Sequence, residues 1–106
     1  MDYLIAKLKE RNIHIVITAQ TNFGNGYPER NIQTGGFSYK YDKCDMHSNP
    51  EAIAAQETYL RDLVKHTNPY TGLAYKDDPS IVGFEINNEP CHSGTKEEVK
   101  AYTTVC

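Results

Sequence analysis

Hydrophobic positions along the chain switch between helical and strand spacing. Leu4, Ile5 and Leu8 form one stripe at helical spacing, so residues 2–11 read as a helix with Asp2 as its candidate N-cap. Ile13–Ala19, IHIVITA, follows as a β-branched apolar run of strand length, in which His14 reads as a hydrogen-bonded or edge-facing strand residue rather than a ligand. From Gln20 to Ser48 the periodicity stops. Gly24, Gly26, Gly35 and Gly36 permit positive φ there, and Pro28 ends any helix. Helical spacing returns in Ala52, Ile53, Tyr59, Leu60, Leu63 and Val64. This second helix opens either on Asn49 with Pro50 at its first position or on a Ser48/Glu51 capping box. Lys65 and His66 suit its negative end, and Asn68-Pro69 closes it. A turn-rich connector, NPYTGLAYKDDPS, leads into a second apolar run, IVGFEI. Thr95 and Glu98 have capping-box spacing and start another helix.

Strands that alternate with helices predict parallel βαβ units, hence an α/β fold. No solenoid-period repeat and no low-complexity tract interrupts that order. The first helix begins at the chain's first turn and the last has a short run before Cys106, a pattern expected of a segment of a larger protein, truncated at both ends.

Composition narrows the class. With 39% hydrophobic and 24% charged residues, a net charge of −3 and 106 residues in all, the chain reads as material for one small soluble domain. The mild acidity predicts no nucleic-acid partner, and no apolar stretch reaches the length that spans a bilayer. The opening MDYLIAKLKERN lacks the basic region and small-residue cleavage site of a signal peptide. Cys44, Cys91 and Cys106 are too few for a disulfide scaffold, and an odd count leaves a thiol free or paired between chains.

Two stretches carry candidate chemistry. The 20–48 loop is long for a compact domain and holds Phe23, Tyr27, Phe37, Tyr39 and Tyr41, rings that either stack on sugar faces or fold inward as a satellite core. The other stretch is GFEINNEP, residues 83–90, where an apolar strand carries Glu85 and closes on Asn87, Asn88, Glu89 and Pro90. Strand parity sets Val82, Phe84 and Ile86 on one face, suited to packing under helices, and Ile81, Gly83, Glu85, Asn87 and Glu89 on the other. A carboxylate on the second face is hard to place in an open sheet covered on both sides. In a closed barrel that face lines the interior, with catalytic groups at the strands' C-terminal ends.

GFEINNEP resembles the fourth-strand signature of clan A glycoside hydrolases, especially the family-5 cellulase and mannanase group. Phe84, Glu85, Ile86, Asn88, Glu89 and Pro90 match that signature position by position, Phe84 standing where Trp is frequent. The run-up NPYTGLAYKDDPSIVGFEINNE is also similar, and ITAQTNFGNGY resembles more loosely the loop after the third strand. The resemblance implies a fragment of a (β/α)8 TIM barrel with two of its parallel strands, residues 1–106 running from about the second helix to the start of the fourth. It implies a retaining hydrolase of a β-linked glycan such as mannan or glucan, with no cofactor and no metal. Glu89 becomes the general acid/base, protonating the glycosidic oxygen and then activating water. Asn88 becomes the hydrogen-bond donor to the sugar 2-hydroxyl, and Glu85 a supporting carboxylate deeper in the barrel. Asn22 and His92 are further candidates for substrate contact. The nucleophile, expected on the seventh strand, falls outside the chain, so the 106-residue piece is expected to be inactive alone. A polysaccharide or oligosaccharide substrate and an extracellular or periplasmic parent are implied by the family alone; nothing in the residues bears on oligomeric state.

Rival readings make their own demands. A non-catalytic carbohydrate-binding or interaction module would use the aromatic 20–48 loop. A zinc site would use Cys44, His47, Cys91 and His92, but more than forty residues separate its two halves. A dinucleotide domain lacks any G-x-G-x-x-G after a strand.

Overall fold

The computed structural model describes residues 1–20, 41, 44–88, 95–97 and 100. Among these, helix α1 spans Asp2–Glu10, strand β1 Ile15–Thr18, helix α2 Pro50–Lys65 and strand β2 Ile81–Glu85. Short 3-10 turns lie at Asp45–His47 and Tyr75–Asp77. The two strands are parallel neighbours, as the alternation of elements predicts.

Helix α1 ends because Asn12 takes a left-handed conformation, φ 57°. The Ile13 N–H then donates to the Leu8 carbonyl and the Asn12 N–H to Lys9, closing the end in a Schellman arrangement that Asn tolerates. The start differs from expectation. Met1 holds the N-cap position with no side-chain bond, and Asp2 stands inside the first turn. Its carboxylate is engaged elsewhere: Tyr75 donates its hydroxyl to it, and His66 Nε2 lies 2.9 Å away. The buried face of α1 is Ile5 and Ala6, while Leu4 is 59% exposed, so the expected Leu4–Ile5–Leu8 stripe is rotated toward Ala6.

Helix α2 resolves its two candidate starts in favour of Asn49. The Asn49 side chain accepts from the N–H groups of Glu51 at 2.9 Å and Ala52 at 3.4 Å, with Pro50 at the first position. Ser48 instead donates its hydroxyl to the Cys44 carbonyl. Ala52 and Leu63 pack inward as expected, but the other fully buried position is Gln56, whose amide donates to the Ala52 carbonyl. Tyr41 folds inward against Ala52 and Ala55, one ring of the aromatic loop adopting the satellite-core role. Phe23, Tyr27, Phe37 and Tyr39 lie outside the described residues.

After α2 the connector is held by its polar side chains. Asn68, fully buried, donates to the Asp2 carbonyl and accepts from the Tyr70 N–H, while Gly72 turns at φ 72°. Buried Asp78 accepts from Lys9 at 2.9 Å and from both the hydroxyl and N–H of Ser80, pinning the start of β2 to α1.

The main core joins Ile5, Ile17 and Tyr75, with Ile15, Leu63, Ile81 and Phe84 packed on it. One expectation fails here. Val82 was to pack under the helices with Phe84, yet it is 60% exposed, and Ile81 takes its place. The cause is a register shift: Ile15 pairs with Ile81 but Val16 pairs with Gly83, leaving Val82 as an extra residue. A bulge of this kind reverses the parity that simple alternation assigns.

Candidate active site

Beyond the bulge the register is regular, Ile17 opposite Phe84 and Thr18 opposite Glu85. Ile17 and Phe84 belong to the helix-covered core, so Thr18 and Glu85 share the opposite face with exposed Val16 and with Gly83. Thr18 donates its hydroxyl to Glu85 Oε2 at 2.6 Å, a short charge-assisted bond across the two strands. Glu85 is therefore compensated by a neighbour in the sheet, on the face opposite the Ile5–Ile17–Tyr75 core.

Backbone pairing continues past the formal strand ends. The Ala19 N–H donates to the Glu85 carbonyl at 2.8 Å, and the Asn88 N–H to the Gln20 carbonyl at 3.0 Å. Helix α2 reaches the same end through Tyr59, which donates its hydroxyl to the Ala19 carbonyl at 2.8 Å. Burial pushes the Tyr59 phenol above its ordinary range, which keeps it a neutral donor. Asn88, the proposed sugar-contacting residue, is thus anchored by its main chain at the C-terminal end of β2. Its side chain is the group left for chemistry.

Gln20 and Asn87 are residues that sequence reasoning passed over. Gln20 is 8% exposed, yet among the described residues neither its Nε2 nor its Oε1 has a partner, and Asn87 Oδ1 is likewise buried and unpartnered. Such groups cost about 1–3 kcal/mol each when left unpaired. A small signal was present: Gln20 is the first polar residue after an apolar run that ends at Ala19.

Of the other candidates, Glu89, Asn22 and His92 lie outside the described residues, so the structure places Asn88 and Glu85 only. Cys44 is disulfide-bonded, which removes it as a thiolate ligand and leaves the imagined zinc set without its first member. Cys91 and Cys106 are outside the described residues. Among the described residues no group of His, Cys, Asp and Glu is arranged to hold a metal, and no helix is long and apolar enough to cross a membrane.

Parallel strands joined through a helix, with polar residues gathered at their C-terminal ends, are what a fragment of a (β/α) barrel presents. The chain is homologous, over most of its length, to mannanases of glycoside hydrolase family 5. It is 30% identical over 95 residues to mannan endo-1,4-beta-mannosidase 3 of Arabidopsis thaliana, a match covering 85% of this chain. It is also 30% identical over 95 residues to mannan endo-1,4-beta-mannosidase 4 of Solanum lycopersicum. In structure it is similar to the endo-1,4-beta-mannanase from Rhizomucor miehei, with a TM-score of 0.68 and 26% identity over 95% of this chain. The chain spans 22% and 23% of the two plant relatives and 30% of the fungal chain. No protein-family model matches it.

Proposed function

We propose that residues 1–106 are part of a (β/α)8 barrel domain of a retaining glycoside hydrolase that cleaves β-1,4-mannan, with Glu89 as general acid/base. The observation that carries this reading is the agreement of the plant relatives and the fungal structure on a single activity, endo-1,4-mannan hydrolysis. The strand supports it: Asn88, which precedes Glu89 in the sequence, is held at the C-terminal end of β2 by the Gln20 carbonyl.

The chemistry then divides among three residues. Glu89 gives its proton to the leaving glycosidic oxygen and later takes one from the attacking water. Asn88 binds the 2-hydroxyl, a contact that strengthens as positive charge builds on the sugar ring. Glu85 holds the strand end through Thr18 and contributes negative charge beneath the site. The nucleophile belongs to a part of the domain outside this chain. Asn22 and His92 are proposed substrate contacts from the two loops that follow the strands. An extracellular parent fits both a polymeric substrate and the disulfide at Cys44, since disulfides persist in oxidising surroundings.

The test is turnover of β-1,4-mannan by the intact protein. Glu89→Gln should cut kcat on unactivated mannan by about 10²–10⁴-fold while leaving substrate binding close to wild type. Undiminished hydrolysis by that variant would remove Glu89 from the mechanism. Cleavage confined to β-glucan would replace the substrate and keep the mechanism.

A further inference from the structure

We propose that Gln20 is a substrate-contacting residue: its carboxamide, together with the Asn87 side-chain carbonyl, binds a hydroxyl group of the glycan. This deepens the hydrolase reading and rests on it. Among the described residues, three polar atoms at the C-terminal ends of β1 and β2 lack partners: Gln20 Nε2, Gln20 Oε1 and Asn87 Oδ1. One is a donor and two are acceptors, and that composition selects the ligand. A carboxylate could use the donor but would face the two carbonyl oxygens with nothing to give them. An ammonium or guanidinium group would have the reverse difficulty at Nε2. A hydroxyl both accepts and donates, so one sugar O–H takes the proton of Nε2 and gives its own to either carbonyl.

Position supports the same assignment. The Gln20 carbonyl accepts the Asn88 N–H at 3.0 Å, so the residue proposed to bind the 2-hydroxyl and the unpartnered carboxamide are fixed to each other through the main chain. The Ala19 carbonyl just before it is held by Tyr59, so the backbone that carries Gln20 is braced from the helix side. A site built on a paired strand end keeps its donors oriented in advance of binding, which is what discrimination by hydrogen bonding requires.

The experiment is calorimetric titration of the intact protein with mannopentaose in a Glu89→Gln background, where turnover is blocked, with and without Gln20→Met. Methionine keeps the side chain's length and removes both polar atoms. The expected result is a loss of affinity of about tenfold or more, with a melting temperature equal to or above that of the parent, because no protein partner is lost. Unchanged affinity would overturn the assignment, and so would a variant that melts early or fails to fold, since either would show that the amide serves the structure. The two readings fail separately. Abolished turnover in Glu89→Gln with unchanged affinity in Gln20→Met sinks only the Gln20 assignment. Persistent turnover in Glu89→Gln with affinity still lost in Gln20→Met sinks only the role of Glu89.

Discussion

Thr18 and Glu85, sixty-seven positions apart in sequence, face each other across the two parallel strands and share a hydrogen bond of 2.6 Å. The pair follows from the register. Once Val82 is set aside as an extra residue, Thr18 is the neighbour that Glu85 meets directly in the sheet among the described residues. Removing the hydroxyl by Thr18→Val keeps the shape and strand propensity of the position and leaves the carboxylate to solvent. The expected cost is about 0.5–1.5 kcal/mol. A double-mutant cycle with Glu85→Ala, read by urea unfolding of the intact protein, should return a coupling of about that size. Additive losses would mean that the bond contributes nothing in solution.

Acid sensitivity follows from two carboxylates. Hydrogen bonds from Tyr75 and then His66 hold the Asp2 carboxyl below its ordinary value of 3.8. Burial works against charge on Asp78, but Lys9 and the Ser80 hydroxyl and N–H outweigh it, and its carboxyl also titrates below 3.8. A depressed folded-state value means that the unfolded chain binds the proton first. The stabilisation is therefore complete above about pH 4 and drains away as the pH falls through the folded-state values. Asp2→Asn and Asp78→Asn should each be less stable than wild type at neutral pH and should each lose less on acidification. Chemical unfolding at a series of pH values checks this. Curves for wild type and variants that run parallel from neutrality down to pH 2 would refute it.

Tyr59 ties α2 to the end of β1 by a single hydroxyl at 2.8 Å from the Ala19 carbonyl. Tyr59→Phe keeps the ring and removes that donor, at a cost of about 1 kcal/mol. The effect should be local. Hydrogen exchange should quicken at the Asn88 amide, which bonds the adjacent Gln20 carbonyl, and stay unchanged at the Ile15 amide at the other end of the strand. Uniform acceleration at both amides would mean that the hydroxyl acts on global stability alone.

These relationships differ in how far the sequence discloses them. Helix α1, helix α2 and the parallel strands were legible because each rests on local rules, such as the spacing of Leu63 and Ala52 or the Asn49-Pro50 start. The family and the end of β2 were legible because GFEINNEP couples a strand to a motif. What escaped depends on pairing. The bulge at Val82 is a property of two strands together, and alternation within one strand put Val82 on the wrong face. Asp2 reads as a cap from its neighbours in sequence, while its partners, Tyr75 and His66, are more than sixty residues away. Gln20 looks like the first residue of a loop until its burial and its pairing to Asn88 are known.

Cys44 gives the last prediction. It lies just ahead of the 3-10 turn that leads into α2, and it is disulfide-bonded. Its backbone carbonyl also accepts from Ser48, so the residue is fixed both through its side chain and through its main chain. Closing a loop at this point restricts the unfolded chain, and a bond of this kind contributes about 2–4 kcal/mol. Cys44→Ser should lower the melting temperature of the intact protein under non-reducing conditions. A strong reductant should lower wild type to the same level and leave Cys44→Ser where it was. Non-reducing peptide mapping should recover the peptide containing Cys44 joined to a second cysteine peptide. Recovery of that peptide as a free thiol from protein prepared without reductant would show that the bond does not form. It would also remove the support that Cys44 lends to an oxidising compartment.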